Sequence, residues 1–241
     1  MEAKIRIGTS GYSYSWNKAK PNAFEWYSGQ GFNSVEINYS FYRFPPVTSI
    51  RFWQKKAPRD FTFSIKVHRS ITHYNRLNQP RSIELWDQFW KIFEPLEDKI
   101  DFWLFQMPAN FKFKPENLER VRSFFNNDAI MHQVVTPKKT VIEFRDPSWW
   151  NEPALKEIEG AGIAFCSVDA PRLPNEIITI SNAIYLRLHG TKTWYNYLYP
   201  EEKLNEIASD IVKMRAQKKA IYLNNDHGML TNGLLLMKRL F

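Results

Sequence analysis

The stretch AIYLRLHG, residues 183–190, runs through apolar and β-branched side chains and turns basic at Arg187 and His189 before ending on a glycine. It is strand-length, and its apolar residues sit at adjacent as well as alternate positions. That is the pattern of a strand covered on both faces, as in parallel sheets. Seven more runs of this kind recur, at residues 4–8, 34–37, 61–67, 101–107, 140–144, 163–168 and 220–223. Helix-like segments separate most of them. Residues 82–96 place Leu85, Phe89, Trp90, Phe93 and Leu96 on one stripe, and residues 201–218 do the same with Leu204, Ile207, Ile211 and Met214. Pro115 and Pro153 open helices, while Gly160 and Gly162 close one. Eight such strands, most of them followed by a helix, in 241 residues point to a single (β/α)8 TIM-type barrel over residues 1–241 rather than an open doubly wound sheet. The connection between strands six and seven, residues 169–182, carries no helical pattern and is expected to be irregular.

Composition narrows the function classes. No segment has the roughly 18 uninterrupted apolar residues of a membrane span, and the N-terminus runs directly into a strand pattern, so a cytoplasmic protein without membrane contact is expected. The single cysteine, Cys166, lies in an apolar run and reads as a small buried residue. With 33 Lys plus Arg against 25 Asp plus Glu, the net charge of +8 favours anionic partners, either a small substrate or nucleic acid. No GxGxxG or Walker loop is present, so no cofactor is evident.

Barrel strands carry apolar residues through their middles, and the point where each turns polar marks its exit toward the C-terminal face, where barrel enzymes keep their sites. Strand two ends with Glu36 and Asn38, strand three with Lys66 and His68, strand four with Gln106 and strand five with Glu143 and Arg145. Strand six ends with Asp169, strand seven with Arg187 and His189, and strand eight with Asn224, Asn225 and Asp226. Residues two apart share a face of a strand, so Glu36 with Asn38, Lys66 with His68, Glu143 with Arg145 and Arg187 with His189 are expected to point together into the mouth. The competing reading is a buried ion-pair layer that plugs the barrel; because burying charge is expensive, a functional cluster is preferred. Aromatic residues crowd the following loops, among them Tyr12, Tyr42, His73, Trp149 and Trp194. They suit stacking on a base or a sugar face.

The strings GTSGYSYSW (8–16), VEINYSFYRFP (35–45), FSIKVHRSITHYNRL (63–77), FQMPANF (105–111), VIEFRDPSWW (141–150), YLRLHG (185–190) and NND (224–226) resemble, in order and over essentially the whole chain, the YecE-like family, domain of unknown function 72. The resemblance implies a TIM-type barrel and leaves the reaction open. Its motif residues are Gly8, Ser10, Gly11, Glu36, Asn38, Phe41, Tyr42, Lys66, Thr72, His73, Glu143, Arg145, Trp149, Arg187, His189, Gly190 and Asn225. This chain departs from the family in having Tyr12 in place of Trp, Ala109 in place of a second Pro, Gly233 in place of Ala, and a shortened stretch after Trp16.

The leading expectation is an enzyme of hydrolase or isomerase type acting on an anionic substrate that contains a sugar or nucleotide. Glu36 or Glu143 would be the general acid or base, Lys66 and Arg145 would hold the anion, and His68 or His189 would move a proton. Ser10, Tyr12, Asn38, Tyr42, His73, Gln106, Trp149, Asp169, Arg187, Asn225 and Asp226 complete the candidate binding set. Gly190, Thr191 and Lys192, with residues 225–228, would form a phosphate site after strands seven and eight, the competing reading being that Gly190 and Gly228 only make turns. A divalent metal held by some of Glu36, His68, Glu143, Asp169, His189 and Asp226 is a variant, as in metal-dependent phosphodiesterases or nucleases. The alternative class is a nucleic-acid-binding protein without chemistry.

Overall fold

The computed structural model describes residues 3–135 and 138–241. Eight parallel strands, β1 (Lys4–Thr9), β2 (Ser34–Ile37), β3 (Thr62–Lys66), β4 (Ile100–Gln106), β5 (Thr140–Glu143), β6 (Ala164–Asp169), β7 (Ala183–Leu188) and β8 (Lys218–Leu223), follow the order β1-β8-β7-β6-β5-β4-β3-β2. The helices that wrap them are α1 (Ala23–Ser28), α2 (Val47–Lys56), α3 (Arg81–Phe93), α4 (Pro115–Phe125), the single turn α5 (Asp128–Ile130), α6 (Glu152–Gly160), α7 (Glu201–Lys213) and α8 (Met229–Leu240). Pro115 occupies the first turn of α4, where no partner for its missing N–H is needed, and the Asn151 side chain caps α6 by accepting from Ala154 N–H at 2.9 Å. Among the described residues no helix lies between Asp169 and Ala183, so the irregular connection expected there is present. No helix among them is long and apolar enough to cross a membrane.

Two helices end earlier than their apolar stripes. Pro95 interrupts α3, whose last turn passes into a 3-10 segment, Glu94–Lys99. The chain leaves α7 at Lys213, and Lys218 already belongs to β8, paired with Lys4 of β1.

The ladder runs unbroken from β1 through β8 to β2, but β2 and β1 share only one backbone bridge, Ser10 with Glu36. Side chains stitch the remainder of that seam. Asn33 accepts from Ile7 N–H at 2.8 Å and donates to the Ile5 carbonyl at 3.0 Å, and the Tyr27 hydroxyl accepts from Thr9 N–H at 2.8 Å and donates to the Ser34 carbonyl at 3.0 Å. A Cβ on Gly8 would sit 2.2 Å from that same carbonyl oxygen, so only glycine permits the approach. Farther out, α8 packs Gly233 against the Phe32 ring, which stacks on Tyr27 at 4.9 Å between centroids. A Cβ at position 233 would lie 2.7 Å from Phe32, which accounts for glycine standing where the resemblance leads one to expect alanine.

Alternation along each strand sorts the core into two regions. One set of residues, including Ile65, Trp103, Phe105, Ile142, Phe144, Leu186 and Ile221, packs outward under the helices. The other, Phe102, Leu104, Val141, Cys166, Val168, Tyr185 and Tyr222 among them, fills the barrel interior. Inside the barrel Tyr222 meets Ser34 at 2.7 Å and Tyr185 meets Ser64 at 2.5 Å, so the middle of the interior is already hydrogen-bonded below the charged mouth.

Candidate functional site: a charged barrel mouth

Above Tyr185 the inward positions of β2, β5 and β7 are Glu36, Glu143 and Arg187, each with no exposed surface. The Arg187 fork spans the barrel: Nη2 donates to Glu36 Oε1 at 2.7 Å and Nη1 to Glu143 Oε2 at 2.7 Å. Glu36 also accepts from Ser10 Oγ and from the Tyr185 hydroxyl, both at 2.7 Å. Glu143 accepts a further charge-assisted bond from Arg145 Nε. Burial pushes the Glu143 carboxyl up, but Arg145, Arg187 and Lys66 outweigh it and hold the group down at about 2. Each carboxylate is therefore held by arginine, Glu36 accepting three hydrogen bonds and Glu143 two from guanidinium groups.

A second layer, nearer solvent, rests on this one. Arg145 reaches Gln106 Oε1 at 3.4 Å and His189 Nε2 at 3.2 Å, and its guanidinium lies 4.7 Å from the Trp194 ring centre. As Nε2 accepts from Arg145, the proton of the neutral imidazole sits on Nδ1, which is buried and has no partner among the described residues. Burial first, then the charges of Arg145 and Arg187, keeps His189 uncharged by lowering its pKa far below the usual histidine value. Lys66 stands across from these groups with Nζ 4.3 Å from the Phe41 ring centre and, among the described residues, no carboxylate partner. Burial, followed by the Arg187 charge, lowers its ammonium to about 7. His73 also packs on Phe41, edge to face with ring centres 4.8 Å apart, and burial with the Lys66 charge brings it down to about 4.

Beside the cluster, over β1 and β2, opens a cavity of about 790 Å³ lined by Ser10, Tyr12, Tyr14, Asn38, Tyr42 and Trp53 among others. The Asn38 Oδ1 is buried and has no hydrogen-bond partner among the described residues. Asp226 is half-buried close enough to Tyr14 for its charge to help raise that phenol.

Several residues expected in the mouth lie elsewhere. His68 follows the last residue of β3, where the backbone turns into a wide helical turn, Ser70–Tyr74, and its ring packs on Phe44 at 4.8 Å with Nδ1 against Ser70 Oγ at 2.7 Å. Trp149 is fully buried under the helix layer, stacked on Phe144 at 3.7 Å, with its indole N–H given to the Phe111 carbonyl. Asp169 has the outward parity of β6, whose inward residues are Ala164, Cys166 and Val168, and it accepts from Thr191 Oγ1 at 3.1 Å. Asn225 points outward too, donating to the Tyr197 carbonyl at 2.7 Å and to Asn232 at 2.9 Å. The glycine N–H groups expected to cradle phosphate are taken: Gly190 donates to the Tyr199 hydroxyl at 2.8 Å and Gly228 to the Asn225 carbonyl at 3.1 Å. Gly190, at φ 112°, instead lets residues 193 and 197 close onto it, and Lys192 is exposed. For metal, no three His, Cys, Asp or Glu side chains among the described residues converge in a way that could hold an ion, because His68 and Asp169 face away and both glutamates are engaged by arginine. Tyr185 was not singled out by sequence, although it shares the parity of Arg187 and His189 and completes the shell around Glu36.

Fold and site together define a parallel α/β barrel with its C-terminal mouth closed by interleaved carboxylates and guanidinium groups. The chain belongs to the DUF72 family, described as a protein of unknown function, whose model matches residues 6–239. It is 25% identical over 260 residues to the UPF0759 protein YunF of Bacillus subtilis, covering 93% of this chain and 89% of that protein. A DUF72 structure from Thermotoga maritima superimposes with a TM-score of 0.84 at 28% identity over 98% of both chains. Another from Enterococcus faecalis gives a TM-score of 0.83 at 20% identity, over 98% of this chain and 95% of that one, which shows the shared fold.

Proposed function

We propose that the chain is an enzyme that binds an anionic, sugar- or nucleotide-containing substrate at the barrel mouth, with the body of the substrate in the cavity over β1 and β2 and its anionic group at Arg145 and Lys66. One observation carries this reading: two buried carboxylates, Glu36 and Glu143, face three cations, Arg187, Arg145 and Lys66, and Lys66 is left unpaired. A mouth with surplus positive charge in a poorly solvated setting gains from an anion. The glutamates, each held by arginine, serve as fixed acceptors that orient the guanidinium forks, and Lys66 is the group poised to gain or lose a proton near neutral pH. The test is a thermal-shift series with glycerol 3-phosphate and adenosine monophosphate against glycerol and adenosine. The phosphorylated compounds should raise the Tm of the wild type, their neutral parents should not, and Arg145→Lys should blunt the effect because it loses the planar fork. If Arg145→Lys changes the melting temperature yet binds every compound as the wild type does, the cluster is a structural plug and the reading falls.

A second reading draws on the rim. The Arg69 guanidinium lies 5.7 Å from the Tyr42 ring and 5.4 Å from Tyr74, both rings more than half exposed, an arrangement suited to stacking bases of a single strand. It requires binding to single-stranded DNA or RNA that weakens steeply with salt and is insensitive to Glu143→Gln.

A further inference from the structure

We infer that Lys66 acts as a nucleophilic amine and that the substrate class of the mouth is an anionic aldehyde or ketone, joined to Lys66 as an imine while Arg145 holds the anionic group. This rests on the anion-binding reading above and goes further by assigning the carbonyl.

The geometry separates Lys66 from an ordinary buried lysine. Buried ammonium groups are normally compensated by a carboxylate, and two carboxylates are available in this cluster. Both are occupied: Glu36 by Arg187, Ser10 and Tyr185, and Glu143 by Arg187 and Arg145. Lys66 faces the Phe41 ring, and burial with the Arg187 and Arg145 charges lowers its ammonium although the charges of Glu143 and Glu36 pull the other way. A desolvated lysine beside other cations is the arrangement that supplies a neutral, nucleophilic amine at physiological pH. Lys66 keeps 9% of its surface, and its Nζ is not among the polar atoms sealed from solvent without a partner.

The step balances without a further reagent. The Nζ lone pair adds to the carbonyl carbon and the C=O π pair moves to oxygen, giving a carbinolamine. Its oxygen departs as water, taking one proton that came from nitrogen and one from the medium, the C=N bond forms as the protonated iminium, and loss of its remaining N–H proton returns the borrowed proton to the medium. Carbonyl and primary amine thus become imine and water. Protonated, that nitrogen draws electrons from the bond next to the former carbonyl carbon, which suits isomerisation or bond cleavage at that position.

The experiment incubates the wild type at pH 7 with sodium cyanoborohydride and dihydroxyacetone phosphate or pyruvate, then maps modified lysines by peptide mass spectrometry. Dihydroxyacetone supplies a carbonyl without an anion, and glycerol 3-phosphate an anion without a carbonyl. Lys66 should be labelled at least tenfold faster than the exposed Lys91 by one or both anionic carbonyl compounds and not by dihydroxyacetone. Its labelling should level off above pH 8. Lys66→Met should lose that adduct and retain the Lys91 adduct; the wild-type comparison of the two lysines stands even where this variant folds poorly. Labelling of Lys66 no faster than Lys91 overturns the imine. If glycerol 3-phosphate still raises the melting temperature through Arg145, that result leaves the anion site intact, whereas loss of both effects removes both readings.

Discussion

Arg187 has no exposed surface and touches both carboxylates, so its removal leaves two buried negative charges with reduced compensation. Arg187→Met should cost about 3–5 kcal/mol in urea denaturation. The exposed pair Arg81–Glu84 provides the scale, since Arg81→Ala there should change stability by no more than about 0.5 kcal/mol. Equal effects from the two substitutions would mean that the mouth is more solvated than its burial implies. Lys66 predicts the opposite dependence on charge. Its ammonium titrates near 7 when folded and at 10.5 in an unfolded chain, so between these values the unfolded state binds more protons. The penalty for holding it charged is fully present below pH 7 and is relieved as pH rises toward 10.5. The stability of the wild type relative to Lys66→Met should therefore increase over that interval, and a flat difference would show that Lys66 is not desolvated.

At the scale of strands and connections, parity made the cluster legible. Residues two apart on β2, β5 and β7 brought Glu36, Glu143, Arg145, Arg187 and His189 together as the alternation required. It failed where polarity was taken for direction: Asp169 is the charged last residue of β6 but has outward parity, and His68 lies past the last β3 residue, where the backbone turns. Nor could spacing reveal that Arg187 would bridge both glutamates, because that depends on the stagger between strands and on side-chain rotamers. The helix layer yields a prediction of its own. Gly233→Ala adds helix propensity of about 1 kcal/mol, but its methyl would meet the Phe32 ring, itself stacked on Tyr27, and overpacking of this kind costs about 1–3 kcal/mol. A lowered melting temperature is expected. A raised one would show that Phe32 can move aside.

For the whole molecule, the mouth sets the response to acid. His73 should gain its proton near 6.5 when unfolded but near 4 when folded, and Glu143 near 4.5 and 2 respectively. In both intervals the unfolded chain binds more protons, so stability should fall in succession as pH drops from 6.5 toward 2. Glu143→Gln, already less stable at neutral pH, should show a shallower decline below pH 4.5; a decline as steep as the wild type would place the acid sensitivity outside the mouth. The barrel itself was readable from eight apolar runs, and the missing helix after β6 from the absence of any periodic stripe in residues 169–182. The seam between the first two strands was not, since it depends on Asn33 and Tyr27, which no strand pattern singles out.

That seam makes the barrel a hoop fastened by a clasp rather than one woven all the way round. One backbone bridge, two side chains and a glycine hold it shut, and the bridge joins Ser10 to Glu36, the residue that anchors Arg187. Anything that tightens the grip of Arg187 on Glu36 therefore also tightens the clasp. In hydrogen exchange the amides of Ile7 and Thr9 should be the first of the barrel strands to open, and an anion seated above them should slow that opening from the far end of the buckle.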